Sequence, residues 1–283
     1  MRKQGSEETN QRIGKLKTCF GLTLCLMIFS LLTACNATPP PSSAPIFIKV
    51  AGSTSMKPLL VKLTHAYSAD HPHTTFDVQG GGSPLGRQLV ETGQVEIGMV
   101  AGPISNLSDN VRLTPIARDS IAIILNSENL FIELSLRELR DVFSGGILNW
   151  QEVDGPAASI QVVSREDGSG TRAVFETAVM DDHPVTPTAV VMPSSQAVVD
   201  FVAQNPDAIG YVSAAFVDER VYAIPIDGVM PTLANLSSGD YFLNRDLLLI
   251  TLAQSGPEIN RFLEFALSPT GQKIVAEHWG TVR

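Results

Sequence analysis

The sequence predicts an α/β fold, on two observations. Short β-branched runs alternate along most of the chain with segments whose apolar residues have helical spacing. Three clusters rich in glycine and hydroxyl side chains, at 52–55, 80–83 and 167–171, lie where a predicted strand passes into a predicted helix. At such junctions backbone N–H groups lack intrahelical acceptors and the helix dipole is positive. Three of them in one chain predict a site that holds an oxyanion from several sides.

The individual elements follow from the residue pattern in chain order. Apolar and β-branched runs predict strands at 46–51, 74–79, 95–100, 113–125, 160–164 and 208–212. Apolar residues at helical spacing predict helices at 58–67, 85–92, 136–143, 171–180, 196–204 and 257–279, the last interrupted at 269–271. The long run at 113–125 suits a crossing between two lobes followed by a buried strand.

The first 35 residues differ from the rest. Basic residues at 12–17 precede an apolar run at 19–32, which small residues follow too soon for a transmembrane helix. This order predicts a signal peptide over 1–35. The segment Leu32-Thr33-Ala34-Cys35 resembles the bacterial lipobox, so we expect cleavage before Cys35 and a lipid anchor on it. The alternative is a plain secretory signal or an uncleaved anchor. We therefore expect a protein held at the cell membrane, on its periplasmic side or at the cell surface.

Residues 36–45 are rich in proline and serine and predict an extended tether. Of the three cysteines, Cys19 and Cys25 lie in the predicted signal peptide, so only Cys35 would remain and no disulfide is expected. The formal net charge is −9, and the predicted signal peptide carries more basic than acidic residues. A nucleic-acid partner is excluded, because it would require a basic surface.

The first two clusters leave two interpretations open. Thr54 and Ser55 supply donors for an oxygen-rich ligand, or they are ordinary helix N-caps. Ser83 precedes a proline, which predicts an N-cap with its hydroxyl facing a site. An ATP-binding P-loop is rejected at the second cluster, since Arg87 and Gln88 replace the required lysine and hydroxyl residue.

The third cluster is the most specific. A predicted strand delivers Arg165, a fixed bidentate donor suited to oxyanions. Ser169, Gly170 and Thr171 follow at the start of a helix and offer hydroxyl and N–H donors. Asp167, two residues beyond Arg165, is predicted to hold its guanidinium in place.

Signals for catalysis are poor. No serine is flanked by glycines two residues away on both sides, so the nucleophile-elbow pattern is absent from the sequence. A loose group at 70–77, with two acidic and two histidine side chains, is typical of a solvated loop rather than a zinc site. We expect no enzyme activity, no metal and no cofactor.

The order Gly-Ser-Thr-Ser, Gln-Gly-Gly-Gly-Ser and Arg-x-Asp-Gly-Ser-Gly-Thr resembles the phosphate-binding proteins of bacterial ABC importers, from position 46 to nearly the end. The resemblance implies a periplasmic-binding-protein type 2 fold, in which two α/β lobes enclose a ligand cleft and are joined by two crossover strands. Lobe 1 would comprise 46–119 and 227–283, and lobe 2 would comprise 120–226. The implied partners are inorganic phosphate or a related oxyanion and the membrane permease of an ABC importer, with the protein acting as a monomer.

When the family's binding residues are matched to this sequence position by position, the resemblance implies ligand-binding roles in three turns. They are Thr54 and Ser55 in the first, Ser83 in the second, and Arg165, Ser169, Gly170 and Thr171 in the third. The first two turns would lie on one lobe and the third on the other, so closure of the cleft would complete the site.

The sequence departs from the family at 100–102. Many members carry an acid there, which accepts the proton of hydrogen phosphate and repels sulfate. Here Ala101 stands at that position, between Val100 and Gly102. We expect phosphate binding with weaker rejection of sulfate, or a site that has moved to another oxyanion. The alternative class is a surface sensor or interaction lipoprotein that has kept the fold.

Overall fold

The computed structural model describes residues 44–104, 107–129, 131 and 133–282. The predicted signal peptide, Cys35 and most of the predicted tether lie outside the described residues. The compact unit begins at Pro45. Within the described part of the chain, no helix has the length and apolar character needed to cross a bilayer.

Nine strands form the sheet in the described residues. They are β1 (Ile46–Gly52), β2 (Thr74–Gln79), β3 (Ile97–Ala101), β4 (Val111–Asn126), β5 (Gln161–Arg165), β6 (Val190–Met192), β7 (Ala208–Ser213), β8 (Val221–Ile224) and β9 (Asn244–Leu252). The spatial order is β2-β1-β3-β9-β4-β7-β5-β6, and β8 also pairs with β4. The pairs β1–β2, β1–β3, β5–β6 and β5–β7 are parallel, whereas the pairs made by β4 and β9 are antiparallel.

The described residues form eight α-helices. They are α1 (Lys57–Asp70), α2 (Ser83–Glu91), α3 (Leu136–Ser144), α4 (Gly170–Phe175), α5 (Ser195–Gln204), α6 (Leu233–Ser238), α7 (Pro257–Leu267) and α8 (Pro269–Val275), and a π-helix (Glu176–Met180) continues α4. Ser135 and Glu138 form a capping box at the start of α3, and Gly145 (φ 83°) ends that helix.

Strand β4 links two half-sheets. Val111–Ser120 pairs with β9, whereas the pairing with β7 begins at Ile121. We call β1, β2, β3, β9 and the first part of β4 the first half-sheet, and the remaining strands with the second part of β4 the second half-sheet. The buried apolar side chains of the first half-sheet pack against α1, α7 and α8 on one face and α2 on the other. Those of the second pack against α3 and α4 on one face and α5 on the other. Helices on both faces of a mixed sheet are the α/β architecture that the alternating pattern predicts.

The change of partner on β4, between Ser120 and Ile121, supports the predicted lobe boundary at 119/120. The predicted return at 227 agrees less well. Tyr241 and Leu243 pack with the buried cluster of the second half-sheet, and the Tyr241 hydroxyl donates to the Ile121 carbonyl at 2.8 Å. The division into lobes stays a prediction.

The predicted elements are confirmed within three residues at each end, apart from the C-terminal tail. There the interruption falls at Ser268 rather than at 269–271, because Pro269 lies in the first turn of α8, where a missing N–H costs nothing. The second tail helix ends at Val275 and does not reach 279. The residue pattern did not predict β6, β8, β9 and α6. Of these, β9 matters most, because it lies between β3 and β4 at the centre of the sheet.

Candidate anion-binding site

The first cluster forms a tight turn after β1. A Cβ on Gly52 would lie 2.2 Å from the Met99 carbonyl oxygen, so only glycine fits there. Thr54 and Ser55 follow within a 3₁₀ helix (Thr54–Met56), and the cap positions belong to Ser53 and Met56. The N-cap interpretation of Thr54 and Ser55 is therefore wrong. Their hydroxyls instead accept hydrogen bonds from guanidinium groups that arrive from other strands.

The second cluster places Ser83 as the first residue of α2, while Gly82 (φ 89°) occupies the cap position. The prediction that Ser83 caps the helix is thus wrong, because the chain enters the helix through a conformation that favours glycine. The Ser83 hydroxyl accepts a hydrogen bond from the Ala101 N–H at 3.2 Å. Ser83 consequently joins the start of α2 to the end of β3.

Arg165 precedes the third cluster by two residues; it is the last residue of β5 and is 1% exposed. Its Nη2 donates to Thr54 Oγ1 at 3.2 Å, across the gap between the two half-sheets. Glu166 binds it through both oxygens, at 2.9 Å from Nε and 2.8 Å from Nη2. The Met192 carbonyl and the Ser195 hydroxyl accept from Nε and Nη1. The guanidinium is therefore fixed on several sides.

Asp167 does not support Arg165 as predicted. Its carboxylate is 96% exposed and pairs with Arg172 Nη1 at 2.7 Å. The physical reason is that the Arg165 guanidinium turns back toward β6, which brings it to Glu166, while Arg172 in the first turn of α4 reaches Asp167. The supporting carboxylate is Glu166.

The remaining residues of the cluster begin α4. Ser169 is its N-cap, and the Ser169 hydroxyl accepts from the Arg172 N–H at 3.3 Å. Gly170 is so close to β3 that a Cβ would lie 1.9 Å from the Ala101 carbonyl oxygen. Thr171 is 1% exposed, and its hydroxyl accepts a hydrogen bond at 2.8 Å from Arg245. The first-turn N–H groups of α4 have no intrahelical acceptor, so this end of the helix favours an anion.

Arg245 is a buried guanidinium that the sequence analysis missed. It lies on β9 directly opposite Asp119 of β4. Asp119 Oδ2 accepts from Arg245 Nε at 3.0 Å and from Nη2 at 2.7 Å, and Asp119 Oδ1 accepts from the Ser213 hydroxyl at 2.8 Å. Burial lowers the pKa of Arg245; Asp119 opposes that shift, and the nearby charge of Arg165 adds to it. Burial likewise raises the pKa of Asp119 against the opposing charge of Arg245.

A weak signal for this pair exists in the sequence. Arg245 precedes the apolar run Leu247–Ile250, and Asp119 precedes the buried run that ends β4. A charged side chain at the edge of a buried strand requires a partner. Because 126 positions separate the two residues, the sequence alone does not reveal that each partners the other.

The arrangement brings two guanidinium groups to two adjacent hydroxyls. Arg165 donates to Thr54, and Arg245 Nη2 donates to Ser55 at 3.1 Å. Hydroxyls, a helix N-terminus and buried arginine are the groups that hold an oxyanion. Among the described residues, no group of three or more His, Cys, Asp or Glu side chains is placed to bind a metal ion.

Ala101, which stands at the expected acidic position, is 1% exposed and packs in the buried cluster of the first half-sheet. Its N–H binds Ser83, and its carbonyl faces Gly170. A buried carboxylate is present instead on β4, where Asp119 pairs with Arg245 at 2.7 Å. The expectation of weaker rejection of sulfate stays a prediction.

Comparison with known proteins identifies the family of this chain. Residues 36–270 match the PBP superfamily domain. The phosphate-binding protein PstS of Bacillus subtilis is 28% identical over 241 residues, which cover 83% of this chain and 80% of that protein. A solved structure from Clostridium perfringens, described as a phosphate ABC transporter substrate-binding protein with bound phosphate, is 33% identical with a TM-score of 0.81 and covers 84% of this chain and 100% of its own. An ABC-type phosphate transport receptor from Vibrio cholerae is 31% identical with a TM-score of 0.70, covering 83% of this chain and 99% of its own. The chain therefore belongs, within the PBP superfamily, to the phosphate-binding proteins of ABC transporters.

Proposed function

We propose that this protein captures inorganic phosphate outside the cytoplasm and delivers it, as a monomer, to the permease of an ABC importer. The observation that carries the proposal is the buried Arg165 guanidinium, which is fixed by Glu166 and reaches Thr54 on the other half-sheet. The bound phosphate in the Clostridium perfringens relative supports the choice of ligand.

Binding would rest on charge and hydrogen bonds alone. Arg165 supplies the positive charge, and a hydrogen bond to a charged group contributes about 1.5–3 kcal/mol. The hydroxyls of Thr54, Ser55 and Ser83 approach from the first half-sheet. Ser169, Gly170 and Thr171 supply hydroxyl and N–H donors from the start of α4. The named relatives are binding proteins, and we propose no catalytic residue, metal or cofactor for this site.

Isothermal titration calorimetry on the exported protein, freed of bound phosphate by dialysis, tests the proposal. We expect saturable binding of phosphate, with sulfate binding more weakly but measurably. The absence of heat from both anions would contradict the proposal. Sulfate binding without phosphate binding would favour the alternative, a binding protein for another oxyanion.

We also propose that a lipid on Cys35 anchors the protein, as the lipobox-like segment predicts. In cells fed labelled palmitate, Cys35→Ser should lose the label. Cys25→Ser is the matched control, because that cysteine lies within the predicted signal peptide and should leave labelling unchanged. A labelled Cys35→Ser protein would show that the anchor lies elsewhere.

A further inference from the structure

The hydroxyls around the proposed phosphate site share one feature: each accepts a hydrogen bond from the protein. Thr54 accepts from Arg165, and Ser83 accepts from the Ala101 N–H. Ser55 and Thr171 both accept from Arg245, at 3.1 and 2.8 Å. Arg245 therefore contacts one hydroxyl from the first cluster and one from the third.

A hydroxyl has one hydrogen to donate and two lone pairs to accept with. When its oxygen accepts a guanidinium N–H, its hydrogen is free to point toward a ligand. Ser55 Oγ also lies 3.0 Å from Ser53 Oγ, where either atom can donate; with Ser53 donating, Ser55 accepts twice and still keeps its own hydrogen. The guanidinium groups thus set these hydroxyls as donors to the site.

Arg245 is held rigidly in the position that does this. Its side chain is 1% exposed, and Asp119 occupies Nε and shares Nη2 with Ser55, so that Nη1 is directed at Thr171. This geometry, in which Nε and Nη2 both donate to Asp119 Oδ2, requires an arginine, since a lysine ammonium is a single point charge and cannot contact three partners in this arrangement.

We propose that Arg245, held by Asp119, is a positioning and specificity-determining residue that fixes Ser55 and Thr171 as hydrogen-bond donors, so that the site discriminates only weakly against oxyanions without protons on their oxygens. A proton on phosphate is a donor and needs an acceptor, and each hydroxyl lone pair that a guanidinium N–H already occupies is one acceptor fewer for that proton. Sulfate carries no such proton at neutral pH. The proposal rests on the proposed phosphate function and gives a structural cause for weak discrimination against sulfate.

The test compares phosphate and sulfate affinities by calorimetry on the exported protein and two variants. Arg245→Lys keeps the charge opposite Asp119 but loses the contacts with both hydroxyls. Arg245→Gln combined with Asp119→Asn removes both charges, which avoids leaving one buried charge unpaired. In both, the released hydroxyls can accept the phosphate proton. The ratio of phosphate to sulfate affinity should therefore rise by about tenfold, the equivalent of one hydrogen bond.

Arg220→Lys is the control, because Arg220 forms exposed ion pairs with Asp200 and Asp218 and should leave the ratio unchanged. A purely structural role for Arg245 would lower both affinities equally. An unchanged ratio in folded variants therefore overturns this inference alone. A wild-type protein that binds neither anion overturns the proposed function and this inference with it.

Discussion

Replacing Arg165 with alanine will abolish high-affinity phosphate binding. The guanidinium is the charge at the end of β5 and is 1% exposed, so water or a surface lysine cannot take its place. Losing this charge, together with the one guanidinium N–H, on Nη1, that has no acceptor among the described residues, should weaken binding by about 10- to 100-fold, since a hydrogen bond to a charged group contributes about 1.5–3 kcal/mol. Titration calorimetry with phosphate measures the change.

The fold should survive the substitution, because the main partner that Arg165 leaves behind, Glu166, is 32% exposed and can be hydrated. Thermal unfolding followed by circular dichroism checks this. Arg165→Lys keeps the charge without the bidentate geometry and should fall between wild type and alanine. Arg137→Ala is the matched control, since that side chain is 89% exposed on α3. Wild-type affinity in Arg165→Ala would refute the assigned site.

The sequence predicted most strands, helices and turns, because their formation depends on residues close together in the chain. Strand β2 has the predicted bounds, and the glycine-rich turns lie at strand-to-helix junctions as expected. Strand β9 was missed because it opens with Asn244, Arg245 and Asp246, which hide the apolar run that follows. Polar side chains at the start of a buried strand contradict the usual β pattern, and here one of them, Arg245, contacts Ser55 and Thr171.

The wrong predictions have a different origin. The roles of Ser83 and Asp167 depend on local backbone and side-chain directions that residue type does not determine. Gly82 takes the cap position because its φ is positive, and Arg165 turns toward β6 and so meets Glu166. The contact between Asp119 and Arg245 depends on pairing between distant strands. The structure brings the three predicted turns together, and it was needed to assign the partners of their side chains.

Replacing Gly170 with alanine should also weaken phosphate binding about 100-fold, equivalent to two or three hydrogen bonds of about 1 kcal/mol each. The added Cβ would lie 1.9 Å from the Ala101 carbonyl oxygen and 2.7 Å from Ser83 Oγ, so α4 must move away from β3 and α2. That movement separates Ser83 from the donors at the start of α4. Alanine otherwise suits this position, because it is the first residue of a helix and needs no positive φ.

The effect should therefore appear in binding and hardly in stability, since the clash lies between the two half-sheets rather than inside either core. Calorimetry with phosphate measures the affinity, and urea unfolding should change by less than about 1 kcal/mol. Gly256→Ala is the control, because Gly256 is the N-cap residue of α7 and its added Cβ would meet nothing within 4 Å. If Gly170→Ala binds phosphate like wild type, the close approach of α4 to β3 is not needed for binding. Tight binding would then depend on Arg165 and the first two turns without closure against α4.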